Sequence, residues 1–591
     1  MIYPSIPSAQ TIVQHCKERG IKNIVISPGS RNAPLTIGFS ENPFFSCFSI
    51  VDERCAAFFA LGIAQQTREP VVICCTSGSA LLNYYPAIAE AFYSQIPLVV
   101  ISADRPPYKI DVGDGQTIRQ DDVFLRHIGY STHLQQDVIH ATDRLKTYVP
   151  DWLEGDAIDV LQTTVQRKND QALNNALHVA MSSQLPVHIN VPFEEPLYDK
   201  VQTPSVVVDG HPLPDAAPRI TKDKLREYAE RWNATDRKLI LVGVNYPDTI
   251  SQECLNTWAN DPSVLVLTET TSNLHHPNFF PSIDSLLAPL EKIEGTEEWF
   301  SRLRPKILLT FGGLIVSKKI KAFLRGHRPE EHWHIDPIKA YDTFFSLSQH
   351  FKITPNLFFD TFLKYTKPVQ SDYFPFWNSI RKGFEMRRDS YLKQIPFSDM
   401  LAFGQILKAI PEGYQLQLAN SSTVRYAQLF ALDPSLTVFC NRGTSGIDGS
   451  TSTAIGAALY HSSPTVFLTG DLSFFYDSNG LWNEYIRDDF RIVLFNNSGG
   501  GIFRILPGKE QSENFEHFFE TKHNLTAGNL CEMFGFEHIG VADEESLVKA
   551  LKSFFEQGKA PKLLEISTPR LLNDKILLTY FDFISSVFIN H

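Results

Sequence analysis

No stretch of this 591-residue chain reaches the ~18 consecutive apolar residues that a bilayer-spanning helix requires, so no membrane anchor is expected. Paired cysteines are also lacking. Cys16, Cys47, Cys55, Cys74, Cys75, Cys254, Cys440 and Cys531 are scattered, with no CxxC pair and no zinc spacing. This argues against a disulfide framework or a structural zinc site, and for buried thiols in a reducing compartment. Basic residues are in deficit, 54 Lys and Arg against 66 Asp and Glu, for a net charge of −12. Nucleic acid and anionic membranes are therefore poor partners, although a local basic pocket is not excluded. No GxGxxG joins a strand to a helix, so a dinucleotide site is not expected. The opening MIYPSIPSAQ has no basic segment followed by an apolar run, unlike a signal peptide. A cytoplasmic protein is expected.

What is present is alternation. Short β-forming runs recur between helical stretches, as in an α/β protein built of doubly wound parallel sheets. The runs are Asn23–Ser27, Cys47–Val51, Pro70–Cys75, Pro97–Ser102 and Pro186–Val191, then Lys238–Val242, Val264–Thr268, Lys306–Thr310 and His332–Asp336. Tyr414–Leu418, Thr437–Cys440, Thr465–Thr469, Arg491–Phe495 and Lys562–Ile566 complete the series. They divide the chain into three domains with central parallel sheets, over 1–195, 221–355 and 386–591. A proline-bearing linker (196–220) and an aromatic-rich connection (356–385) separate them. The apolar tail 577–590 reads as a helix packed on the core or at a subunit interface.

Gly470 to Asn497 organises the rest. Strand Thr465–Thr469 ends in Gly470-Asp471, a helical crossover follows, and strand Arg491–Phe495 ends in Asn496-Asn497. Parallel strands put both ends at one sheet edge, so Asp471 and Asn497 can meet. A carboxylate and an amide oxygen are hard ligands suited to Mg²⁺ and its phosphates. Glycines 499 to 501 let a phosphate approach the main chain. Other strand-end turns carry chemistry too: SPGSRNAPL (27–35), DER (52–54), TSGSA (76–80) and ADRPP (103–107). Taken alone, Glu53 is an ordinary helix-start acid. His127 and His133 show no spacing that marks them as acid–base groups.

The Gly470–Asn497 arrangement resembles the thiamine diphosphate (ThDP) motif. With SPGSR, DER, ADRPP, GQTIRQ (115–120), NSSTVR (420–425), NRGTSGIDG (441–449), GDLS (470–473) and NNSGGGIF (496–503), the chain resembles the SEPHCHC synthase family of menaquinone biosynthesis. GDLS, with Leu472 in place of a second glycine, is that family's variant. The resemblance implies three ThDP-enzyme domains: aminopyrimidine-binding, middle and diphosphate-binding. It implies decarboxylation of 2-oxoglutarate and 1,4-addition of the succinyl-semialdehyde carbanion to isochorismate.

By motif position, Glu53 would activate the aminopyrimidine from a dry pocket. Asp471, Asn497 and the Gly499 carbonyl would hold Mg²⁺, with Mn²⁺ as an alternative. Ile447, Gly470, Leu472, Ser473, Asn497, Ile502 and Phe503 would contact the cofactor. Ser30, Arg31, Gln116, Ser421 and Arg425 would act at the reacting centre, Ser421 and Arg425 sharing a helix face. Arg105, Lys318, Lys319 and Arg442 would bind the anionic substrates. The resemblance also implies a homodimer or homotetramer with its active site at the subunit interface. Two other readings stand beside it: an acetolactate synthase-like 2-oxoacid carboligase, and a catalytically silent ThDP-fold binding module.

Overall fold

Three parallel sheets carry the structure, a computed structural model that describes residues 2–208, 220–505 and 512–586. The first has the strand order Ser46–Ser49, Asn23–Ile26, Val71–Cys75, Leu98–Asp104, Val187–Pro192, Tyr130–His133. The second runs Val264–Leu267, Lys238–Val242, Ile307–Phe311, Glu331–Ile335, Leu347–Phe351. The third runs Thr437–Cys440, Gln415–Leu418, Thr465–Gly470, Arg491–Asn496, Lys562–Ser567, Glu537–Val541. In each sheet the strand order reverses between the second and third strands as given, and ligand sites in doubly wound sheets lie outside the strand C-termini.

All fourteen expected strands are present, their ends within two residues of those expected. Five strands are not expected from the sequence: the short antiparallel pair Tyr3–Pro4 and Lys200–Val201, and, in the parallel sheets, Tyr130–His133, Leu347–Phe351 and Glu537–Val541. Each of the last three lies at a sheet edge and is largely half-buried or exposed. An edge strand needs no apolar run, because one flank and much of its surface face solvent.

The described chain falls into two compact units. The first comprises 2–208, 443–462 and 476–487, and the second 220–442, 463–475, 488–505 and 512–586. The first sheet has its own core around Ile24, Val72, Val99 and Ile189. In the second unit one apolar core runs unbroken from Leu239, Leu265 and Leu308 of the second sheet to Leu416, Leu468 and Leu564 of the third. Asn273 reinforces that junction: its side chain donates to Val438 O (2.9 Å) and accepts from Val438 N (2.7 Å). The tail forms helix Asn573–Ser585, with Tyr580 and Ile584 buried in this core. That agrees with a packed helix as far as residue 586; 587–590, like 209–219 of the linker, lie outside the described residues. All eight cysteines are free thiols, and all but the half-buried Cys47 are buried. Among the described residues no helix is long and apolar enough to cross a membrane.

Helix Glu53–Thr67 is buried along almost its whole length, from Cys55 to Gln65. It packs on strand Val71–Cys75 and crosses helix Ser450–Tyr460 at main-chain contact. Two glycines allow this. A Cβ on Gly62 would lie 2.1 Å from the Thr453 carbonyl oxygen, and one on Gly456 would lie 2.0 Å from that of Phe59. Neither obstacle is a flexible side-chain tip. Gly62→Ala should therefore destabilise the protein by about 1–3 kcal/mol. A thermal melt should show a drop of several degrees, and an unchanged melt would remove the close crossing as a constraint.

Candidate functional site

Strand Thr465–Gly470 pairs in parallel with Arg491–Asn496, Gly470 opposite Phe495, so both chains leave the third sheet side by side. Asp471, 3% exposed, accepts from Leu472 N (2.7 Å) through Oδ1 and from Gly499 N (3.0 Å) through Oδ2. His523 Nε2 lies 3.3 Å from Oδ2. The Asn497 amide donates to Asp399 Oδ2 at 2.9 Å. Its Oδ1 is buried with no hydrogen-bond partner among the described residues. A buried acceptor without a donor costs about 1–3 kcal/mol. Such an unpartnered oxygen suits a cation. Asp471, the Asn497 oxygen and the Gly499 carbonyl are a hard donor set of the kind Mg²⁺ takes.

The turn after Asn497 is closely packed and depends on its glycine. Ser498 has φ 63° and Gly499 φ 147°; a Cβ on Gly499 would lie 2.7 Å from the Glu520 carbonyl oxygen. That carbonyl accepts from Gly500 N at 2.6 Å. The Glu520 carboxylate is held by Arg504 Nε and by Arg570 Nη1, both at 2.5 Å. Ile502 and Phe503 lie half-buried in the 3₁₀ turn Gly501–Ile505. Gly470 and Leu472 are half-buried and Ser473 is buried. The expected single crossover helix is instead a six-residue helix, Asp471–Tyr476, then the 3₁₀ turn Ser478–Leu481. Residues 476–487 of this connection group with the first unit.

A second locus in this unit gathers Ser421, Arg425 and Arg442. Ser421 caps helix Ser422–Ala427 with φ 68° and ψ −127°. This conformation costs a non-glycine residue about 1–3 kcal/mol and marks functional turns. Ser421 thus precedes the helix rather than sharing a face with Arg425. Arg442 Nη1 donates to Asn420 Oδ1 at 2.5 Å. Burial and then the neighbouring Arg442 lower the pKa of Arg425, while Asp284 and Glu269 oppose them. Burial pushes the Glu269 carboxyl up to about 7, against hydrogen bonds from Val316 N and Ser317 N and the charge of Arg442. Those two amides lead into helix Lys318–Gly326. Lys318 is exposed and the Lys319 ammonium is paired with Glu291. Burial lowers the pKa of Lys321, Glu269 opposes this, and Arg442, Arg325 and Arg425 add to it.

The first unit holds the remaining candidates. Glu53 heads its helix behind the Asp52 cap, is half-buried, and accepts from Asn83 Nδ2 at 3.3 Å. Ile447 is half-buried in a loop tied down by the buried Glu90, which accepts from Gly443 N and Thr444 N, each at 2.6 Å. Ser30 and Gln116 are exposed, Gln116 with φ 55°. Arg31 is only 3% exposed. It donates to Phe193 O (2.9 Å) and to Glu195 Oε1 (3.0 Å). Arg105 reaches Gly115 O at 3.0 Å and lies 3.8 Å from the same Glu195 oxygen. Arg144 donates to Glu195 at 3.0 Å and to Glu194 at 2.9 Å. Hydrogen bonds from Arg31 and Arg144 hold the Glu195 carboxyl below the usual carboxylate range. Glu195, Glu90, Asp399 and Glu269 were all missed from sequence. Only the Glu194-Glu195 doublet after a strand offered any signal.

Residues 8–127 match the family described as "Thiamine pyrophosphate enzyme, N-terminal TPP binding domain", and 420–566 its C-terminal TPP binding domain. The chain is 51% identical over 588 residues to a 2-succinyl-5-enolpyruvyl-6-hydroxy-3-cyclohexene-1-carboxylate (SEPHCHC) synthase of Flavobacterium psychrophilum, covering 98% of this chain and 99% of that one. The chain belongs to the SEPHCHC synthase family. A synthase of the same name from Christiangramia forsetii is 52% identical over 590 residues, covering 99% of this chain and 100% of that one. One from Porphyromonas gingivalis is 35% identical over 96% of this chain and 95% of its own. Benzoylformate decarboxylase of Polynucleobacter necessarius shares the fold, with a TM-score of 0.66 at 14% identity over 96% of this chain and 99% of that one. The expected family, the ThDP-enzyme architecture and thiamine diphosphate as cofactor are thus borne out.

Glu195 is the carboxylate shared by three arginines of the first unit, one of them buried. Glu195→Gln should lower stability by about 1–3 kcal/mol, less than for a fully buried pair because Glu195 is 40% exposed. Urea unfolding checks this; an unchanged midpoint would show that Arg31 does not depend on Glu195.

Proposed function

We propose that the chain is a ThDP- and Mg²⁺-dependent SEPHCHC synthase. It decarboxylates 2-oxoglutarate and adds the four-carbon unit to isochorismate by 1,4-addition. Membership of the synthase family over nearly the whole chain carries this reading. Two clusters of cationic side chains, around Arg31 and Arg105 and around Arg425 and Arg442, fit substrates with several carboxylates better than they fit pyruvate.

Asp471, Asn497 and the Gly499 carbonyl would hold Mg²⁺, or Mn²⁺, against the diphosphate, and the unpartnered Asn497 oxygen supports this. Gly470, Leu472, Ser473, Ile502, Phe503 and Ile447 would frame the cofactor. When bound, thiamine diphosphate supplies the electron sink through which a 2-oxoacid loses CO₂ and its carbonyl carbon becomes nucleophilic. Glu53, positioned by Asn83, would hold the proton at the aminopyrimidine. Arg31, Arg105, Arg425 and Arg442 would orient substrate carboxylates, with Lys318 and Lys319 at the rim and Lys321 closer to the arginines. Ser30, Gln116 and Ser421 would hydrogen-bond the reacting groups. Domain bounds of 1–195, 221–355 and 386–591 accompany this reading, as do a cytoplasmic location and a homodimer or homotetramer with its active site at the subunit interface.

Purified protein given ThDP, Mg²⁺ and isochorismate should consume 2-oxoglutarate in clear preference to pyruvate. A preference for pyruvate would overturn the substrate assignment in favour of an acetolactate synthase-like enzyme. Glu53→Gln should reduce turnover by at least a thousandfold while ThDP still binds. Retained activity would remove Glu53 from the chemistry.

A further inference from the structure

An asparagine can serve a cation only through its oxygen, yet its amide fits the same space with oxygen and nitrogen exchanged. Something must hold Asn497 the right way round. Its Nδ2 donates to Asp399 Oδ2 at 2.9 Å. A carboxylate accepts only, so the flipped amide would set oxygen against oxygen. The bond therefore sends the Asn497 oxygen the other way, where it is buried and unpartnered.

Asp399 is itself held on every side. It is 3% exposed and opens helix Asp399–Ala409, whose N-terminal end favours a negative charge. Its Oδ1 accepts from Thr568 Oγ1 at 2.6 Å. Its backbone N–H donates to Asn573 Oδ1 at 2.8 Å, and Asn573 Nδ2 donates to Thr568 Oγ1 at 3.1 Å, closing a ring. Thr568 N donates to Asn496 O at 3.2 Å, next to Asn497 in the chain. The ring thus joins a helix start to the ends of two neighbouring strands. None of its members belongs to a motif noted in the sequence.

We propose that Asp399 is the positioning residue of the cation site: it fixes the Asn497 amide with its oxygen toward the metal without touching the metal. The proposal rests on the reading of Asn497 as a metal ligand. Partners of this kind typically contribute 10–100-fold to metal affinity.

The test titrates MgCl₂ into the full-length protein with saturating ThDP, followed by isothermal calorimetry and intrinsic fluorescence, alongside thermal melts without either ligand. Asn497→Ala should weaken Mg²⁺ binding; if it does not, Asn497 is no ligand and both readings fall. Asp399→Asn should raise the Mg²⁺ dissociation constant at least about tenfold while the ligand-free melting temperature stays within a few degrees of wild type. Wild-type Mg²⁺ affinity in Asp399→Asn, with Asn497→Ala impaired, would overturn the positioning role alone. The double variant should bind Mg²⁺ no more weakly than Asn497→Ala. A further loss would mean that Asp399 acts by another route, which also overturns the proposal. Should Asp399→Asn fail to fold, Thr568→Val, which frees the carboxylate's other oxygen, should weaken binding in the same direction. Unchanged affinity there would equally refute it.

Discussion

The hydrogen bond from Gly499 N to Asp471 Oδ2 is the constraint on which the site in the second unit depends. It can form only because two parallel strands end together, Gly470 opposite Phe495. A shift in register would carry Asp471 away from the glycine turn. The strands themselves are buried and apolar, so their register is set by the core rather than by the site. Chemistry at the sheet edge thus takes its geometry from packing several residues away. The turn that follows is tied to the Glu520 carbonyl, and the Glu520 carboxylate is in turn held by Arg504 and Arg570, so its main chain is fixed.

Charge is handled locally. The chain is acidic overall, yet its candidate substrate residues are mostly cationic. One group has a built-in counter-charge: Glu195 pairs with Arg31 and Arg144 and lies 3.8 Å from Arg105. Buried guanidinium groups without a carboxylate would carry a desolvation cost of several kcal/mol each. Glu195 supplies that carboxylate for the buried Arg31.

The interior of the fold was legible in the sequence because interior parallel strands must be apolar on both faces. The three strands missed in the parallel sheets are edge strands, which carry no such requirement. Among site residues, Asp471, Asn497 and Glu53 were legible because they sit immediately after strands, where the local pattern marks them. Glu195, Glu90 and Asp399 were not. Each acts on a partner distant in the chain, and in sequence a buried, engaged carboxylate looks like any solvated one. Ser421 was found as a residue but misplaced on its helix, because its left-handed conformation is a property of the folded turn. The crossover after Asp471 was misread for a related reason: its middle belongs to another unit, which local periodicity does not report.

That interleaving has a consequence for how the protein is made. The first unit begins at the N-terminus yet includes residues 443–462 and 476–487. The ribosome must release the whole second sheet and part of the third before the first unit has all its parts. Helix Glu53–Thr67, buried against a helix that starts only at Ser450, waits through most of translation with an apolar surface uncovered. N-terminal domains usually fold first as they emerge. In this chain completion of the N-terminal unit is postponed, so truncated or stalled chains would expose that helix and be prone to aggregate, however stable the finished protein is.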